Sequence, residues 1–289
     1  MKKIVKFIAL LCIAATLITP LSVSAADPVI QGNDKASVDV TNLTSGYIRI
    51  VYKGDVNAKV KVRIQTPKGT MYNYDLKTGK DGEVFTFSEG DGKYTVGVYT
   101  LTSGNKYATS YTTTVDVKLK DAYAPFLVSS QYVNFVATGD KKSEVVKRAE
   151  EVTKGLTEDL KKVEAIYNEV LKFGYDTKKA ETVQAGYLPD VDKILASKKG
   201  ICFDYAAVMT AMLRSQKIPC QLVIGYAGDV YHAWINVYTK ETGWVKEIVL
   251  FDGKTWRLMD PTYASTGGES KDTMKYIGDG KNYTAKSYY

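Results

Sequence analysis

The chain has 289 residues, 45% of them hydrophobic, with 39 basic against 32 acidic side chains and a formal charge of +7. That length suits two domains, and so mild a positive excess excludes nucleic-acid binding, which needs a clustered basic surface. Three lysines, Lys2, Lys3 and Lys6, precede an apolar run from Phe7 to Ile18, followed by Pro20 and the small-residue stretch Val23-Ser24-Ala25-Ala26. A basic start, a short apolar run and a small-residue end predict a cleaved export signal over residues 1–26; the run is shorter than the roughly 20 residues that span a bilayer. Cleavage removes Cys12 and these three lysines from the +7 chain, leaving +4 and two cysteines, Cys202 and Cys220.

Residues 27–120 read as strands. The stretch from Ala58 to Gln65 alternates apolar and polar side chains, as a half-buried strand does. Ser37–Val40, Tyr47–Tyr52, Met71–Leu76, Val84–Phe87, Tyr94–Leu101 and Tyr107–Leu119 carry Tyr, Val, Thr and Ile, and Gly-, Asp- and Pro-containing turns separate them. About seven short strands in this window fit an immunoglobulin-like β-sandwich. No catalytic constellation falls within it, which leaves a spacer or binding role.

Residues 121–142 read as a linker, punctuated by Pro125, in which residues 131–137 can add one strand. The second domain, 143–289, opens with helices. Val145, Val146, Ala149, Val152 and Leu156 recur at helical spacing. A second helix follows, with Thr157 as its cap and Leu160, Val163, Ile166, Tyr167, Val170 and Leu171 on its apolar face. A polar stretch, 177–190, leads to a short helix over 191–196 and then to Gly200-Ile201-Cys202-Phe203-Asp204-Tyr205-Ala206-Ala207.

From Cys202 to Ser215 there is neither Pro nor Gly, and the apolar residues run nearly all round, so a buried helix is predicted with Cys202 at its N-terminus. There the helix dipole and the first-turn N–H groups favour a thiolate and can hold a developing oxyanion. Such a helix is about 20 Å long, so Cys220, which opens the next strand, lies too far from Cys202 for a disulfide. That strand returns antiparallel to the helix and the chain turns at 227–230. The strand Tyr231–Tyr238 then delivers His232, the sole histidine, beside the start of the helix. A further excursion ends in Trp256–Asp260, placing Asp260 at the same level, with Asn236 as a rival partner for the imidazole. In these roles Cys202 attacks a carbonyl, His232 moves the proton and Asp260 orients the imidazole. A metal site is disfavoured because the Cys, His and Asp residues lack short-spaced ligand pairs.

Four ordered motifs, Gly200-Ile201-Cys202-Phe203-Asp204-Tyr205-Ala206, Ile218-Pro219 with Gly225-Tyr226, His232-Ala233-Trp234 and Asp260-Pro261-Thr262, closely resemble the transglutaminase-like superfamily, which has a papain-like fold. Lys217 stands where the family often has glycine. The resemblance covers about residues 140–265. It implies an α+β domain with a central helix on an antiparallel sheet and a catalytic triad of Cys202, His232 and Asp260. It also implies an upstream side chain completing the oxyanion hole: Tyr175 first, with Gln184 and Tyr187 behind it. The expectation is a secreted or envelope-bound acyl-transfer enzyme, from a Gram-positive cell, acting on protein or peptide amides by cross-linking or hydrolysis. It needs no cofactor. The alternative is a cell-surface adhesion or scaffold protein whose second domain is vestigial.

Overall fold

The computed structural model describes residues 27–79, 81–136, 142–245, 249–251, 256–258, 262 and 283–289. The expected export signal, 1–26, and Asp260 lie outside these residues. Among the described residues, eight antiparallel strands build the N-terminal region: β1 (Ile30–Gly32), β2 (Ala36–Asp39), β3 (Tyr47–Tyr52), β4 (Val60–Gln65), β5 (Met71–Leu76), β6 (Glu83–Thr86), β7 (Gly92–Ser103) and β8 (Lys106–Val117). They form two sheets, ordered β1-β2-β3-β6 and β5-β4-β7-β8. The alternation read in the sequence is the alternation of burial: Val60, Val62 and Ile64 of β4 join Val96 and Val98 of β7 and Ile48 and Ile50 of β3 in one core. The strand not anticipated is β1, three residues long with an exposed Ile30, too short to show alternation.

The linker holds a 3-10 turn, Ala124–Leu127, with Pro125 inside it. The strand expected at 131–137 does not form over the described part, 131–136. Ser130 and Val133 bond each other in a tight turn instead. The Gln131 Nε2 donates to the Asp75 carbonyl (2.6 Å) and to Glu83 Oε2 (2.7 Å), pinning the segment to the sandwich.

Five helices follow: α1 (Glu144–Val152), α2 (Asp159–Val170), α3 (Thr177–Thr182), α4 (Val191–Ser197) and α5 (Cys202–Ser215). Glu158, not Thr157, is the N-cap of α2. The helix α3 lies in the stretch read only as polar, and the Asp176 carboxylate caps it by accepting the Lys179 backbone N–H at 3.1 Å. Two-residue strands, β9 (Gly174–Tyr175) and β10 (Lys199–Gly200), pair in parallel. The remaining strands are β11 (Cys220–Ala227), β12 (Val230–Thr239), β13 (Gly243–Val245), β14 (Val249–Phe251), β15 (Trp256–Leu258) and β16 (Tyr283–Tyr288). The sheet beside α5 has the order β13-β12-β11-β16, while β14 and β15 pair with each other in a separate ribbon.

The helix α5 is the axis of this domain. Residues Asp204 to Arg214 are all buried, and Val208, Met209, Met212 and Leu213 share a core with Leu222 of β11 and Ala233, Ile235 and Val237 of β12. Each large apolar side chain so enclosed stabilises the fold by about 1.5–3 kcal/mol. At the far end of the helix Arg214 is wholly buried and donates to three carbonyls, those of Cys220 (2.9 Å), Val128 (2.7 Å) and Tyr289 (2.6 Å). Burial pushes its pKa down to about 10. It thereby ties the linker, β11 and the last strand to α5. The Tyr289 ring meanwhile packs on Tyr72, Tyr74 and Tyr132, which ties the last strand to the sandwich.

Candidate active site

Cys202 is the first residue of α5 and is partly exposed; both it and Cys220 are free thiols. The helix length separates them, as expected. Cys220 is fully buried, hydrogen-bonds to Thr210 Oγ1 at 3.4 Å, and burial pushes its thiol up to about 12. It packs as a small core residue.

The turn into α5 is held from two sides. The β9–β10 bridge is closed by the Gly174 N–H on the Lys198 carbonyl and the Asp176 N–H on the Gly200 carbonyl, both 2.8 Å, so Tyr175 stands beside Gly200, two residues ahead of Cys202. From inside, the Asp204 carboxylate accepts three hydrogen bonds: the Ile201 N–H (2.9 Å), Lys179 Nζ (2.5 Å) and the Tyr187 hydroxyl (2.6 Å). Asp204 is wholly buried, and a side chain at Gly200 would meet it, its Cβ lying 2.6 Å from that of Asp204. The glycine of the cysteine motif therefore makes room for the aspartate of the same motif. The carboxylate also sits at the positive end of the helix dipole.

Lys179 is the site residue that sequence reasoning missed, and Tyr187, read there as a reserve oxyanion candidate, serves Asp204 instead. The signal for Lys179 was present: Asp176-Thr177 is an N-cap signature, and a helix there carries Lys179 one turn inward. Of the oxyanion candidates, Tyr175 is placed beside the cysteine turn. The Tyr187 hydroxyl is committed to Asp204, and burial first, then that carboxylate, raises its pKa. Gln184 is exposed and donates to the Thr182 carbonyl at 2.9 Å.

His232 is buried on β12 and faces Gly225 of β11. Its ring lies nearly parallel to that of Trp234 (21° between planes, centroids 6.2 Å apart) and is 6.2 Å from Tyr283 of β16. Gly225 is needed here, because a Cβ would sit 2.7 Å from the Trp234 ring and 2.1 Å from the Thr284 carbonyl oxygen. Strand alternation gives His232 and Trp234 one face of the sheet and gives Tyr231, Ala233 and Ile235 the face on which α5 packs. α5 runs antiparallel to β11, whose first residue lies by Thr210 and Arg214, so Cys202 lies at the end of the β11–β12 hairpin that carries Tyr226 and Tyr231. Asn236 donates to Gln221 Oε1 at 2.8 Å; four residues along a strand put it about 13 Å from His232, too far to orient the imidazole.

A cleft of about 990 Å³ is lined by Arg49, Glu83, Gln131, Asn134 and Asp190 among others, and neither Cys202 nor His232 lines it. Among the described residues no cluster of His, Cys, Asp and Glu could hold a metal ion, and no helix is long and apolar enough to cross a membrane.

Residues 146–247 match the family model of the transglutaminase-like superfamily. No curated protein matches the chain. Among solved structures, the chain resembles a candidate cysteine protease from Cytophaga hutchinsonii (15% identity, TM-score 0.41, covering 84% of this chain and 78% of that one). It also resembles the periplasmic domain of TgpA from Pseudomonas aeruginosa (16% identity, TM-score 0.36, 82% and 98% covered). A third is red sea bream transglutaminase (11% identity, TM-score 0.30, 87% and 55% covered).

Proposed function

We propose that this chain, which carries a transglutaminase-like domain at residues 146–247, is an exported thiol-dependent acyl-transfer enzyme acting on protein or peptide amides. The observation that carries the reading is Cys202: a partly exposed, free thiol on the first turn of a long buried helix, held by the Asp204 network. Residues 27–120 form its immunoglobulin-like module and residues 143–289 its catalytic domain. The two-sheet sandwich supports the first assignment and the family match the second.

In the proposed reaction Cys202 Sγ attacks the amide carbonyl, and first-turn N–H groups, with Tyr175 in support, hold the negative oxygen. The thiol proton passes to His232, which lies on the sheet face opposite α5 and so acts around the end of β12. As the C–N bond breaks, His232 gives that proton to the departing amine, leaving an acyl thioester on Cys202. Water or a primary amine then attacks the thioester and returns a proton through His232, releasing acid or a new amide. Asp260 orients the imidazole.

The test incubates the protein with a glutamine-bearing protein and a fluorescent primary amine. Incorporation that disappears in Cys202→Ala is the expected cross-linking result, and peptide release without incorporation selects hydrolysis. If neither occurs, and iodoacetamide alkylates Cys202 equally slowly in wild type and His232→Ala, the thiol is not activated and the proposal fails.

A further inference from the structure

Beside Cys202 stand aromatic side chains that folding does not explain. Tyr226 of β11 and Tyr231 of β12 are cross-strand partners whose rings meet edge to face, centroids 5.6 Å apart. They are 38% and 65% exposed, and Val230 beside them is 54% exposed. Single exposed apolar residues are ordinary, but a group of them in one place marks a binding surface. Both rings lie on the sheet face that receives α5, since their pair follows Ile224 and Ala233 in register. Cys220, the first residue of β11, lies by Thr210 and Arg214 near the end of α5, so α5 and β11 run antiparallel and the Tyr226–Tyr231 pair stands at the same end as Cys202. Tyr132 packs edge to face on Phe203, the residue after the cysteine, at 5.5 Å. The Tyr226–Tyr231 pair on the hairpin and the Tyr132–Phe203 contact at the residue after the cysteine are thus two aromatic groups near Cys202, and Tyr231 is the more exposed ring of the first.

We propose that Tyr231, backed by Tyr226, determines specificity by taking an aromatic side chain next to the carbonyl offered to Cys202. The acyl donor is then a peptide or protein amide flanked by an aromatic residue. This rests on Cys202 being the nucleophile. An edge-to-face pair leaves a ring face open to a third ring. The flanking Val230 brings no hydrogen-bonding side chain, which suits an apolar ring better than a sugar.

The experiment compares alkylation of Cys202 by iodoacetamide and by its N-phenyl derivative, followed by peptide mass spectrometry, with free cysteine as the reference for intrinsic reactivity. It uses wild type, Tyr231→Phe and Tyr231→Ser. Tyr231 is largely exposed, so neither substitution threatens the fold. The aryl-to-small rate ratio should exceed that of free cysteine, persist in Tyr231→Phe, and fall about fivefold in Tyr231→Ser, the size of one aromatic contact. The iodoacetamide rate itself should not change. A ratio equal in all three proteins, with Cys202 still reacting faster than free cysteine, overturns the specificity role and leaves the nucleophile standing. Reaction no faster than free cysteine with both reagents overturns both.

Discussion

Asp204→Asn tests how the turn before Cys202 is held. The wild-type carboxylate serves three donors on two oxygens: Oδ2 takes the Ile201 N–H and Lys179 Nζ, and Oδ1 takes the Tyr187 hydroxyl. An asparagine can keep the Ile201 bond on its single oxygen, and the Tyr187 hydroxyl can rotate to accept from the new amide. What it cannot replace is the charge opposite Lys179. Charge-assisted hydrogen bonds are worth about 1.5–3 kcal/mol each, and stranding a buried charge costs about 3–5 kcal/mol. The Lys179 side chain is 26% exposed and can turn toward water, which caps the second penalty. The expected loss is therefore about 2–3 kcal/mol, read by urea unfolding at pH 7 with circular dichroism. The cycle with Lys179→Met should give a coupling of about 1–2 kcal/mol, because the two side chains touch. A loss under about 1 kcal/mol, the range of a surface ion pair, would refute the reasoning.

Other substitutions probe other parts of the fold. Lys217 follows α5 with φ of 65°, the left-handed region, where a side chain costs about 1–2 kcal/mol and glycine pays part of that back in chain entropy. Lys217→Gly should raise the urea midpoint, a net gain of about 0.5–1 kcal/mol; a lower midpoint would contradict that backbone assignment. With its thiol pushed up to about 12, Cys220 should resist a disulfide reagent at pH 8 until the protein unfolds, while Cys202 reacts in the native state. Equal labelling of the two in native protein would count against the burial argument. Glu169, only 2% exposed, is held at a pKa of about 2, first by the Arg148 guanidinium and then by Lys172, against an ordinary 4.5. A depressed carboxyl contributes stability that is present above the unfolded value and lost as pH falls through the folded one. The stability difference between wild type and Glu169→Gln should shrink between about pH 5 and pH 2. A difference constant across that window would show that the ion pairs do not hold the carboxylate.

Much of this fold could be read along the chain because its elements rest on local periodicity. The sandwich strands declared themselves by alternation, and α5 ran from Cys202 to Ser215 as expected, since an uninterrupted apolar run bounded by Gly200 and Pro219 admits little else. The separation of Cys202 from Cys220 needed only the rise per residue of a helix. Where the reading failed, the competing interaction was long-range. The 131–136 segment has strand-like residues, but Gln131 finds its partners at Asp75 and Glu83. No element was read in the polar 177–190 stretch because the partner that makes Lys179 structural is Asp204, 25 residues away.

The amino-acid sequence by itself determined the chemistry on offer: one thiol at a helix start, one histidine opening a strand, and four motifs in a fixed order. Tertiary structure decided what surrounds that thiol. The Lys179–Asp204–Tyr187 network, Arg214 on three carbonyls and the packing of Tyr132 on Phe203 join residues far apart in the chain. None leaves a periodic trace, because hydrogen bonds and ring contacts between distant elements depend on where the packed core carries each side chain.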